Sequence, residues 1–174
     1  MPFDLNIICV NQKKPTLKLP SEFNIIAEIQ NKNANDYPKY YNTYCACMSA
    51  FNGIWYYLVS NLEDVSSYEL CDINDVFSEE ERLKGLYPFW YKEGQDIDVS
   101  VFNLRDKFKD DVLNVIKYFI RQSPISTVLF HSRYQTDNEP EYIYGVFSFD
   151  NFVELLENNK LLFNTCYIIR DNDV

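Results

Sequence analysis

Glycine is scarce in this chain, with four residues among 174 against 14 tyrosines and 13 phenylalanines. Loops that cradle nucleotide phosphates rely on glycine, because a Cβ would hold the backbone away from the ligand. A nucleotide-binding protein built on such loops is therefore not expected, and no phosphate-binding glycine loop or GxSxG sequence is present. Histidine occurs once, at His131, which restricts acid–base and metal chemistry. Long apolar runs are missing too. The most apolar stretch, Ile54 to Val59, falls far short of the roughly 18–20 residues that cross a bilayer. The opening Met1-Pro-Phe-Asp-Leu-Asn6 carries no basic start and no long apolar segment, so a chain without a signal peptide is expected. Five cysteines (Cys9, Cys45, Cys47, Cys71 and Cys166) make an odd number in mostly apolar surroundings. They read as small hydrophobes in a reducing cytoplasm and not as a disulfide framework.

The most informative deficit is in positive charge. No lysine or arginine lies between Lys39 and Arg82, a stretch that holds Glu63, Asp64, Glu69, Asp72, Asp75, Glu79, Glu80 and Glu81. None lies between Arg133 and Lys160, where Asp137, Glu139, Glu141, Asp150, Glu154 and Glu157 occur. The two stretches carry eight and six negative charges, 14 of a net charge of only −10, so the rest of the chain is net +4. An ordinary solvated face mixes signs and needs no partner. Two segregated stretches on one face would instead speed encounter with a basic macromolecule and repel nucleic acid. No basic stripe exists, and Lys13, Lys14 and Lys18 make only a short cluster near the N-terminus. Ser78 followed by Glu79, Glu80 and Glu81 is a helix opening, with a serine cap and acids at the positive end of the dipole. Three acids of the first stretch thus have a structural explanation. The expected contact residues are accordingly Glu63, Asp64, Tyr68, Glu69, Asp72 and Asp75, with Asp137, Glu139 and Glu141 from the second.

What is present in quantity is apolar and aromatic: 47% and 17% of the chain. With 174 residues this suffices for one domain over residues 1–174 with a substantial core, and a disordered chain is excluded. Leu5–Val10 and Phe23–Ile29 are expected strands, and Thr16–Leu19 pairs back before Pro20. Asp36, Tyr37 and Pro38 open a buried helix over Tyr40–Val59, which Gly53 divides; Ile54–Val59 is alternatively a strand. A third helix runs from Asn103, its expected cap, to Gln122, with Leu104, Phe108, Val112, Val115, Ile116 and Phe119 on one stripe. Its other face mixes charge, with Asp106 placed to meet Lys109 and Lys107 to meet Asp111. Thr127–Tyr134 and Tyr142–Phe147 form a hairpin, Asp150–Asn158 a helix that buries Phe152, Leu155 and Leu156, and Phe163–Ile169 a last strand. Short connections favour antiparallel neighbours. The expected fold is α+β, a mostly antiparallel sheet with several helices packed on it.

Catalysis has one candidate: Cys45 or Cys47 on a helix with His131 as base, the chain order used by papain-like and transglutaminase-like enzymes. The residues around Cys45, Tyr44-Cys-Ala-Cys-Met-Ser49, match no nucleophile signature, and Cys45 lies about two turns into its expected helix, beyond the reach of the dipole. A non-enzymatic chain is expected. Cys45 and Cys47 are too close for a zinc pair, and Asp72 and Asp75 lack the glycine and glutamate of a calcium loop. No metal or cofactor is expected. Tyr37, Tyr40, Tyr41 and Tyr44, with Tyr87 to Tyr91, suit a protein interface, although an A+T-rich coding sequence raises tyrosine and asparagine together.

The C-terminal residues carry a resemblance. Tyr144-Gly-Val-Phe-Ser-Phe-Asp150 runs into Asn151-Phe-Val-Glu-Leu-Leu-Glu157, and after Asn158, Asn159 and Lys160 the stretch Leu161 to Arg170 closes a strand–helix–strand ending, 27 of 174 residues in all. With the acidic character, this ending resembles the immunity proteins of bacterial contact-dependent inhibition and other polymorphic toxin systems. The resemblance implies tight binding in the cytoplasm to a cognate basic toxin domain, an RNase or DNase, with no nucleic acid or membrane as partner. It transfers no residue role. The alternative readings are a DNA-mimic inhibitor of a DNA-binding enzyme and the Cys45–His131 enzyme.

Overall fold

The computed structural model describes residues 3–14, 24–29, 52–59, 67, 69–75, 100–134 and 142–171. Its strands are β1 (Phe3–Val10), β2 (Asn24–Ile29), β3 (Gly53–Val59), β4 (Cys71–Asp75), β5 (Ser100–Leu104), β6 (Thr127–Tyr134), β7 (Tyr142–Ser148), β8 (Leu161–Leu162) and β9 (Thr165–Arg170). Its helices are α1 (Asp106–Gln122) and α2 (Phe149–Glu157). Six strands form one sheet in the order β2-β3-β1-β6-β9-β7, and β4-β5-β8 form a second. The chain is thus α+β. The large sheet is mixed, because β7 runs parallel to β9 while its other ladders and those of the small sheet are antiparallel. Two helices, not several, are present among the described residues.

β1 is buried at every position. Phe3, Leu5, Ile7 and Cys9 enter the main core with Ile54, Tyr56 and Leu58 of β3, Phe130 of β6 and Tyr167 of β9. Ile8 and Val10 join Trp55, Tyr57, Leu129, Cys166 and Ile168 in a second cluster. A strand buried on both faces has no reason to alternate, which explains the continuous run Ile7-Ile8-Cys9-Val10. Of the two readings of Ile54–Val59, helix or strand, the strand holds: Gly53–Val59 is strand β3, paired with β1 and β2. Ile54-Trp-Tyr-Tyr-Leu-Val59 is rich in branched and aromatic side chains that fit a pleated surface. Gly53 begins it because a Cβ there would collide with the Cys9 carbonyl oxygen. The expected elements at Thr16–Leu19, Tyr40 to Phe51 and Ser78 onward, and the tyrosines 37–44 and 87–91, lie outside the described residues.

α1 lays Val112, Val115, Ile116, Phe119 and Ile120 against the sheet, and Phe119 lies 4.1 Å from the Tyr56 ring, centroid to centroid. Asp106 and Lys109 pair at 2.9 Å, as their spacing predicts. The expected cap is corrected. Asn103 is a strand residue of β5, and Arg105 occupies the cap position without a side-chain cap bond. At the far end the buried Ser123 hydroxyl donates to the Val10 carbonyl at 2.7 Å and accepts from the Thr127 N–H at 3.1 Å, tying α1 to β1 and β6.

The expected hairpin is also corrected. β6 and β7 are not neighbours, because β9 lies between them, antiparallel to β6 and parallel to β7. A parallel pair needs a long crossover, and α2 with β8 supplies it. Ser148 caps α2 by accepting from the Asn151 N–H at 3.1 Å. The helix ends in a Schellman turn, with Lys160 N–H donating to the Leu155 carbonyl and Asn159 N–H to that of Leu156. Asn159 takes the left-handed conformation there, φ 54°, as Asn11 and Asn164 do elsewhere. In a chain with few glycines, asparagine supplies these positions because its short polar side chain tolerates them.

Candidate partner-binding surface

Of the nine expected contact residues, Glu63, Asp64, Tyr68, Asp137, Glu139 and Glu141 lie outside the described residues. The other three fall close together. Glu69 is exposed in the turn that enters β4, Asp72 is exposed on β4, and Asp75 ends that strand opposite Ser100. This segment is anchored by Ser67, a buried serine whose hydroxyl accepts from the Leu5 N–H at 3.0 Å and donates to the Leu58 carbonyl at 2.5 Å. Cys71 and Leu70 enter the core, so the alternation of β4 turns Asp72 outward. Asp72 does not stand as a free docking charge, however. Arg105 donates to it at 3.1 Å across the β4–β5 ladder, and both side chains remain largely solvated.

The second stretch behaves differently. Asp150, Glu154 and Glu157 are all exposed on α2, spaced four and three residues apart and hence on one side of the helix. The last turn carries no basic residue, and no ion pair holds any of the three among the described residues. Lys117 of α1 lies over the Phe149 ring at 5.6 Å. The buried side of the same helix is Phe152 and Leu156, which face Phe130 and Tyr167. These three acids were absent from the expected contact set, although their spacing already placed them together. β8 follows α2 closely in the chain and lies two strands from β4, about 10 Å at the usual strand spacing.

A buried polar row crosses the second face of the large sheet, and sequence pattern gave no sign of it. Asp4 pairs with Arg133, and Asn6 lies opposite His131 on one side and Tyr57 on the other. His131 in turn lies opposite Cys166. The Asp4 and Arg133 side chains approach to 3.8 Å with exposures of 2% and 4%, which places the ion pair in the interior. His131 is fully buried on an inner strand, not at a sheet margin, with Trp55 edge-on at 5.8 Å. Cys45 lies outside the described residues, so the pairing proposed for a cysteine enzyme meets a base closed off from solvent. The cysteines that are described are buried thiols. Burial pushes Cys9 from 9.0 up to about 12. It does the same for Cys71, with Asp72 adding to the rise and Arg105 opposing it. At neutral pH both remain protonated and unreactive. Burial also raises the Tyr144 and Tyr167 hydroxyls. No cluster of metal-binding side chains occurs among the described residues, and no described helix is long and apolar enough to cross a membrane.

No family model, curated protein or solved structure matches the chain.

Proposed function

We propose that the chain is an immunity protein that binds a cognate toxin, a nuclease, and neutralises it through an acidic surface in the cytoplasm. The observation that carries this reading is the solvent side of α2, where Asp150, Glu154 and Glu157 stand together with no ion pair among the described residues. A nuclease must hold phosphates and is therefore positive at its site, so a fixed set of carboxylates competes for the same field. Glu69 extends the surface, and Asp72 contributes to the extent that it exchanges Arg105 for a cation of the partner. The reading requires no catalytic residue and no cofactor. The burial of His131, the base of the alternative cysteine enzyme, favours it over that reading.

The test is co-purification with the product of the neighbouring gene, followed by a nuclease assay with and without this chain. A stable complex and lost nuclease activity are expected. Absence of binding at low salt overturns the proposal, and indiscriminate, salt-sensitive binding to many basic proteins would favour a DNA mimic instead.

A further inference from the structure

β7 is an edge strand, last in the order of the large sheet, and among the described residues no strand pairs with the outer side of Gly145–Ser148. Proteins commonly guard such edges with charge or proline. Tyr142-Ile-Tyr-Gly-Val-Phe-Ser148 contains neither. Val146 is 57% exposed, one of two large apolar side chains so exposed among the described residues. One irregularity interrupts the strand: the register against β9 shifts between Ile143 and Gly145, making Tyr144 the extra residue. The uninterrupted ladder is Gly145–Ser148, which leads directly into the cap of α2.

The charge around this strand is as uneven as its edge is bare. Asp137, Glu139 and Glu141 precede it in the chain, Asp150, Glu154 and Glu157 follow it on α2, and no lysine or arginine occurs from 134 to 159. A neutral edge strand is thus bracketed by the whole second acidic stretch. Two copies pairing through this edge would bring like charges together, which disfavours self-association. An extended segment rich in lysine or arginine would gain backbone bonds from the ladder and charge contacts with the acids of α2.

We infer that β7 is the docking edge for an extended cationic segment of the partner, which adds to the large sheet along Gly145–Ser148 and places its basic side chains against the acids of α2. The inference rests on the inhibitor reading and specifies how the partner is held.

The experiment uses the full chain, isotopically labelled and titrated at low salt with a synthetic peptide of about eight alternating lysine and threonine residues, a typical strand length. The same peptide with alternate backbone nitrogens methylated keeps every charge and loses the donors a ladder requires. Protection of the Gly145–Ser148 amides is expected, with at least about tenfold weaker binding after methylation. Val146→Lys, at an exposed position the fold tolerates, should also weaken the peptide by up to about tenfold. Equal affinity for the methylated peptide overturns strand addition and leaves an acidic surface acting by charge alone. Protection confined to β2 or β4, no binding of the unmethylated peptide, or dimerisation of the free chain through this edge also overturns it. If the cognate toxin co-purifies while the β7 amides stay unprotected, the docking edge is wrong and the inhibitor reading stands.

Discussion

Asp72 and Glu154 are both exposed carboxylates drawn from stretches without lysine or arginine, yet the fold treats them differently. Asp72 sits on β4 opposite Asn103, within reach of Arg105, which lies just beyond β5 and closes on it at 3.1 Å. Glu154 sits mid-helix on α2, beside Asp150 and Glu157, with no ion pair to it among the described residues. A gap in positive charge along the sequence says nothing about cations brought in by pairing. In a strand the neighbour comes from elsewhere in the chain, and β5 leads into a basic residue. On the outer side of a helix the neighbours are local, so the lack of lysine and arginine carries through to the surface. Asp4 completes the series. It too meets an arginine, Arg133, but in the interior, where the pair is closed to water.

The strongest way to sharpen this contrast is to remove the buried cation. Arg133→Met should destabilise the chain by about 3–5 kcal/mol, because it leaves Asp4 without its partner in the interior, as chemical denaturation would measure. Asp4→Asn together with Arg133→Met should recover part of that loss. Ser67→Ala comes next, at about 1–3 kcal/mol, since it strands the Leu5 N–H and frees the segment that carries Glu69 and Asp72. An alkaline titration probes the buried thiols beneath the same strand. Cys9 and Cys71 have folded values raised above their unfolded ones, so above pH 9 the unfolded chain loses protons that the folded chain retains. The stability contributed by keeping these thiols neutral is complete below pH 9 and is lost as pH rises toward about 12, which thermal melts across that range should follow. Arg105→Ala has the smallest effect, below about 1 kcal/mol, as both partners are solvated. It should also free Asp72 and modestly tighten binding to a basic partner; weaker binding would show that the Asp72–Arg105 pair itself forms the contact.

Much of this architecture is legible in the sequence where one local rule dominates. The stripe of Val112, Val115, Ile116 and Phe119 fixed α1, and the short apolar period around Phe152 fixed α2. The run Leu5–Val10 announced β1, although burial on both faces removed the alternation that marks an ordinary strand. Legibility failed where distant pairing decides. Ile54–Val59 is consistent with either helix or strand until β1 and β2 are set beside it, and no local signal places β9 between β6 and β7. β4 and β5 were not anticipated, since Cys71-Asp-Ile-Asn-Asp75 is too polar to read as a strand before Leu104 and Asn103 pair with it. At the candidate surface, the expectation singled out charge outside regular helix. The helical acids Asp150, Glu154 and Glu157, whose spacing was in plain view, are exposed as well. The buried row of Asp4, Asn6, His131 and Arg133 could not be found from sequence, because polar residues at alternate positions of a strand ordinarily face water.

The most direct measurement is the affinity of the cognate toxin for the wild-type chain and for the variant carrying Asp150→Asn, Glu154→Gln and Glu157→Gln, by calorimetric titration at low and high salt. The variant should fold normally, bind at least about tenfold more weakly at low salt, and depend less on ionic strength. Unchanged affinity and an unchanged salt dependence in that variant would contradict the claim that the open carboxylates of α2 hold the partner.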